Sequence, residues 1–129
     1  MNPTSAATTE QTTIERLLTE QNQLLREQLQ AFKREREAAT WSHREMMYMQ
    51  RQMLPLELQP EWVTIDEAAF LLGLRLFPSL YHRRIVNWLQ RNGELITTKG
   101  QRPMDFLRKE VLEANKRIID GTVVLPNTL

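Results

Sequence analysis

Between Tyr81 and Asn92 stand Arg83, Arg84, Asn87, Gln90 and Arg91, and no Asp or Glu interrupts them. All five side chains end in planar, donor-rich heads. A guanidinium forks onto the two acceptors of guanine, a carboxamide does the same on adenine, and other guanidiniums meet phosphates. That is the chemistry of holding a polyanion, not of making bonds. From Arg75 to Lys109 there are eight Lys or Arg against two acids, Glu94 and Asp105, whereas the whole chain carries a net charge of +1. The positive charge is therefore concentrated at one place. A solvated helix face is the alternative, but such faces normally mix signs at i,i+4 spacing.

Residue types suited to catalysis are scarce. Two histidines, His43 and His82, stand far apart, Cys is absent, and the four glycines, Gly73, Gly93, Gly100 and Gly121, are isolated. That leaves no thiolate nucleophile, no thiolate metal site and no glycine-rich phosphate loop. The expectation is a protein that is not an enzyme, with no catalytic residues, no metal and no cofactor. Without Cys there are no disulfides, which permits a reducing compartment. No apolar run approaches the roughly 20 residues needed to span a bilayer, and residues 1–13 lack the pattern of a secretory signal. The chain is expected to be soluble and cytoplasmic, of a bacterial or phage-like kind, with no membrane partner.

The elements that must position the basic residues follow from local pattern. Thr64-Ile65-Asp66-Glu67 reads as a capping box that opens a short helix through Leu72, with Gly73 in the left-handed position after it. Ser79 caps a second helix that ends at Asn92-Gly93. On that helix His82, Ile85, Val86 and Leu89 share one face. Arg83, Arg84, Asn87, Gln90 and Arg91 share the opposite one. Leu95 to Thr98 and Met104 to Phe106 read as a short β-hairpin whose turn carries Lys99 and Arg102. A last helix covers about Leu107 to Ile119, with Leu107, Val111, Ala114 and Ile118 toward a core. Val123, Val124 and Leu125 form an apolar tail that packs on the domain or pairs with a partner.

Upstream, residues 13–53 contain neither Pro nor Gly and are rich in Glu, Gln, Arg, Leu and Ala, which predicts one long helix. Thr12 or Thr13 would cap it, and Pro55 and Pro60 mark its end. Apolar residues recur every seven positions at Leu18, Leu25, Phe32, Ala39, Met46 and Met53, beside Leu17, Leu24, Ala31 and Ala38. The other seam position is poorer: Ile14, Gln21, Gln28, Glu35, Ser42 and Met49. This predicts a coiled coil with Leu18, Leu25, Phe32, Ala39 and Met46 in its interface. The alternative is a single amphipathic helix folded onto the second half of the chain. The cluster Trp41, Met46, Met47, Tyr48, Met49 and Met53 would pack on the globular part or on a second chain. A docking patch for a different protein is the other reading of it.

The expected fold is thus mainly α. A disordered leader occupies residues 1–12, a long helix that forms a coiled coil 13–54, a linker 55–61, a small domain with a β-hairpin 62–121, and a tail 122–129. The Thr64-Ile65-Asp66-Glu67-Ala68-Ala69 to Leu71-Leu72-Gly73 stretch, with Arg83-Arg84-Ile85-Val86 through Asn92-Gly93-Glu94-Leu95, resembles the excisionase and MerR-type winged helix-turn-helix families. The resemblance covers about half the chain. It implies that the second helix of the domain enters the major groove through Arg83, Arg84, Asn87 and Gln90, with Arg91 beside them. It also implies that a wing carrying Lys99 and Arg102 contacts the backbone or minor groove. In MerR regulators the long helix follows the DNA-binding unit; here it precedes it. The implied partners are double-stranded DNA and a second copy of the chain, as a homodimer or higher oligomer. A transcription regulator or an excisionase-like accessory factor of a mobile element fits. A protein-interaction adaptor, with a partner at the Met-rich helix end, and a phage packaging or replication accessory are the other readings.

Overall fold

The chain is mainly helical, with one long N-terminal helix and a small three-stranded antiparallel sheet. The structure is a computed structural model that describes residues 3–127, with side chains described from residue 9 onward. Helix α1 spans Pro3–Met53 and a single 3-10 turn follows at Leu56–Leu58. Then come β1 (Trp62–Val63), α2 (Ile65–Leu71), α3 (Tyr81–Arg91), β2 (Thr98–Lys99), β3 (Asp105–Leu107) and α4 (Arg108–Ile119). Two compact units are distinguished, Met1–Ala39 and Thr40–Leu129.

Three boundaries differ from the sequence expectation. The leader expected over residues 1–12 is helical from Pro3, while Met1 and Asn2 lie outside the described residues. Proline suits a first helical turn, because its missing N–H has no acceptor there anyway. Thr13 is not a cap: its hydroxyl donates to the Thr9 carbonyl from inside the helix. Such back-bonding lets a threonine sit in mid-helix. The third difference lies at the other end of α1, where residues 40–53 belong to the second unit. Trp41 and Tyr48 are seven residues apart and turn inward, Tyr48 buried and Trp41 half-buried against the core. Met46, Met49 and Met53 on the same segment are exposed.

The core of the second unit is built mainly from α2, α3, β3 and α4, with Val63 of β1 and Tyr48 of α1. Ala68, Ala69 and Leu71 of α2, Ile85, Val86 and Leu89 of α3, Phe106 of β3, and Val111 and Ala114 of α4 are all buried. β3 is the central strand, pairing Trp62 with Leu107 and Val63 with Phe106 on one side, and Thr98 with Phe106 on the other. The expected hairpin is present, but its strands are Thr98–Lys99 and Asp105–Leu107, so Lys99 sits in a strand opposite Asp105. β1 was not anticipated, since two residues carry no periodicity. Val123 and Leu125 pack against the core, and the Tyr81 hydroxyl donates to the Pro126 carbonyl at 3.0 Å. Two of the three apolar tail residues thus pack on the domain, while Val124 is exposed; Thr128 and Leu129 lie outside the described residues.

Gly100 makes the hairpin turn possible. Its φ is +75°, and a Cβ there would meet the Pro103 carbonyl oxygen at 2.8 Å. Left-handed backbone alone costs an L-residue about 1–2 kcal/mol. Gly100→Ala is therefore expected to lower unfolding free energy by at least about that much, measured by urea denaturation. An unchanged midpoint would contradict the turn geometry.

Candidate nucleic-acid interface

Helix α3 is amphipathic in the expected sense on its inner side: His82, Ile85, Val86 and Leu89 are buried. Both of its ends are held. At the start, Leu80 and not Ser79 occupies the cap position; the Ser79 hydroxyl still accepts from the Tyr81 amide at 3.4 Å, and the His82 ring nitrogens face the Ser79 carbonyl at 3.2 Å and Asp66 Oδ1 at 2.8 Å. At the exit, the Asn92 side-chain amide donates to the Trp88 carbonyl and Arg117 binds the Glu94 carboxylate at 2.8 Å, tying the turn after α3 to α4. A helix fixed at both ends presents its outer side in one orientation.

On that outer side Arg84, Asn87 and Arg91 are exposed, with Leu80 also exposed beside them. At about 100° per residue these positions fall together, directly opposite the buried set. Arg83 and Gln90 fall on a flank and are half-buried. Trp88 lies on the other flank, half-buried against the core.

Arg83 requires a correction. Its Nε and Nη2 each donate to Asp66 at 3.1 Å, one bond to each carboxylate oxygen, so its fork is engaged within the domain. The wheel that grouped it with four outward residues could not see an acid seventeen positions upstream. Arg108 is likewise engaged: it is buried, donating from Nη2 to Glu67 at 2.9 Å and from Nε to the Pro60 carbonyl at 2.7 Å. Arg83 and Arg108 are thus internally neutralised, and Arg75 folds back on the Phe77 carbonyl. The local positive balance is real but smaller than the count suggested. Lys99 and Arg102 are exposed, Lys99 with its ammonium 5.7 Å from the centre of the Trp62 ring.

The acids the sequence reading undervalued are Asp66 and Glu67, neighbours in α2 and both buried. Thr64 does cap α2, accepting from the Glu67 amide at 3.2 Å. The Glu67 carboxylate does not complete a capping box. It bridges Arg51 of α1 at 2.8 Å and Arg108 of α4 at 2.9 Å. Asp66 gathers His82 and Arg83 of α3, with Arg44 of α1 at 3.7 Å. The available signal was the setting: two adjacent acids flanked by Ile65, Ala68 and Ala69 on a seven-residue helix, with little room for a solvated face.

Burial alone would raise the Asp66 carboxyl, but the hydrogen bonds from Arg83 and His82, with their charges, outweigh it and hold it below its ordinary value. A carboxyl lowered on folding adds stability above its unfolded pKa of about 3.9, and that stability is lost as pH falls through the folded value. Asp66→Asn is therefore expected to destabilise by roughly 1–3 kcal/mol at neutral pH. The gap to wild type should begin to narrow near about pH 4 and close as pH falls through the lowered folded value. Urea denaturation at several pH values checks this; a gap that does not shrink in acid would contradict it.

Comparison with models of protein families, with curated proteins and with solved structures gave no match. Among the described residues no helix is long and apolar enough to cross a membrane.

Proposed function

We propose that this protein binds double-stranded DNA sequence-specifically through a winged helix-turn-helix unit, and acts without enzymatic activity. Its cellular role is that of a transcription regulator or an accessory factor of a mobile element. The observation that carries the reading is the exposed set Arg84, Asn87 and Arg91, presented by a helix anchored at both ends and buried on its opposite face. The order α2, α3, β2, β3, α4 is the order a winged helix-turn-helix requires, and the motif resemblance noted in the sequence points the same way. In this reading α3 lies in the major groove. Asn87 and one of the two arginines read base edges, while the other arginine meets phosphate. Gln90 reaches the groove from its flank, and Lys99 and Arg102 touch the adjacent backbone. Arg83 orients α3 through Asp66 instead of reading bases. Two copies associate through the N-terminal segment of α1, so the bound site contains two half-sites.

Exposed apolar residues favour a second reading, a protein-interaction adaptor. Met46, Met49 and Met53, followed by Leu56 and Leu58, are all exposed, Met53 at 81%. Flexible thioethers suit irregular partner surfaces.

Selection of bound duplexes from a random pool with the full chain separates the two. DNA reading predicts enrichment of a motif with paired half-sites. A pool that stays random after repeated rounds at low salt would remove the DNA reading and leave the adaptor.

A further inference from the structure

Residues 9–37 are exposed throughout, and their apolar residues are no exception: Ile14, Leu17, Leu18, Leu24, Leu25, Leu29 and Phe32 are each 51–60% exposed. Helices in water draw most of their stability from packing an amphipathic face. Among the described residues nothing covers this face, although it keeps the seven-residue spacing of a coiled-coil seam. With Leu18, Leu25 and Phe32 at position a, position d holds Ile14, Gln21, Gln28 and Glu35.

That frame also places the charges that flank the seam. Glu10 falls at g, and Glu15 and Arg36 fall at e; the other charged side chains, apart from Glu35 in the seam itself, lie on the outer positions. In a parallel in-register pair, g of one helix meets e of the next heptad on its partner, which sets Glu10 against Glu15. The same arrangement stacks Glu35 on its own copy. Like charges so placed are unfavourable. In an antiparallel pair e meets e, so Glu15 meets Arg36 at both ends of the contact. Each seam layer then joins an a residue to a d residue: Ile14 with Phe32, Leu18 with Gln28, Leu25 with Gln21, and Gln11 with Glu35 at the solvated ends. No layer carries two charges.

We propose that the N-terminal segments of two copies pair as an antiparallel coiled coil in this register. The proposal rests on the self-association included in the functional reading above and adds its direction and alignment.

The absence of Cys from the chain gives a clean test. Full-length Gln11→Cys and Glu35→Cys chains are oxidised mildly, separately and mixed, alongside sedimentation of the unmodified chain. Residues 11 and 35 lie about 36 Å apart along a helix, far beyond disulfide reach. The expected result is a dimer by sedimentation, a disulfide only in the mixture, and uncoupled chains in each variant alone. Disulfides within each variant alone would establish parallel pairing and overturn the direction while leaving self-association intact. A dimer with no disulfide in any sample would overturn the register. A monomer at high concentration would overturn the pairing and self-association together, without touching DNA contact by α3.

Discussion

Replacing Glu67 with alanine is expected to lower the unfolding free energy by about 3–5 kcal/mol, the usual result of removing one member of a buried ion pair. Glu67 is 1% exposed and is the shared acceptor for Arg51 and Arg108. Without it the Arg108 guanidinium, itself 5% exposed, keeps only the Pro60 carbonyl among these partners. Arg51 is far more exposed, so its half of the bridge is screened by water and counts for less. Most of the loss therefore belongs to the stranded Arg108 charge. A total stability of about 5–15 kcal/mol makes such a change large. Urea denaturation followed by tryptophan fluorescence measures it. The double variant Glu67→Met, Arg108→Leu should recover much of the stability, because two apolar side chains leave no orphan charge. A loss below about 1 kcal/mol for Glu67→Ala would mean that the network does not hold α2 against α4 in solution.

The second large effect is on affinity. Arg84→Ala with Arg91→Ala is expected to weaken binding to the selected duplex by at least about tenfold, and by 100-fold or more if one of them reads a guanine, since a bidentate base contact is worth about 1–3 kcal/mol. Both side chains are exposed, where contacts of charged groups contribute little to stability, so the thermal midpoint should stay close to wild type. Arg83→Ala is the informative contrast. Its loss frees Asp66 and should reduce stability, while its direct effect on sequence preference should be small. An Arg83 variant that is stable yet changes the preferred bases would contradict the assignment of that fork to Asp66.

The inner face of α3 was readable because His82, Ile85, Val86 and Leu89 recur at helical spacing, and burial enforces that spacing. The Thr64 cap was readable because the chemistry of a helix start is local. The fate of Arg83 was not, because Asp66 meets it only after two helices have packed. A helical wheel describes one element and contains no neighbour. Arg108 disappeared from view for the same reason, its acceptor lying forty-one residues away. The start of α1 was missed because a Thr-rich polar stretch has weak propensity in either direction. The division of α1 at residue 40 had a trace in the sequence, the pair Trp41 and Tyr48, but the heptad column running on through Ala39, Met46 and Met53 masked it. The two-residue β1 had no pattern to find; it forms where β3 offers an edge.

In the proposed function, exposed cations on α3 and the β2–β3 hairpin hold a DNA duplex. The decisive measurement is affinity for the selected duplex as a function of salt, by fluorescence anisotropy with the full chain. Lys99, Arg102 and whichever of Arg84 and Arg91 meets phosphate would release counterions and give a log–log slope of about −3 per protomer. That slope should become shallower by about one unit for each arginine removed from phosphate. Affinity that stays flat with salt, or a slope unchanged in the Arg84→Ala, Arg91→Ala variant, would contradict the account.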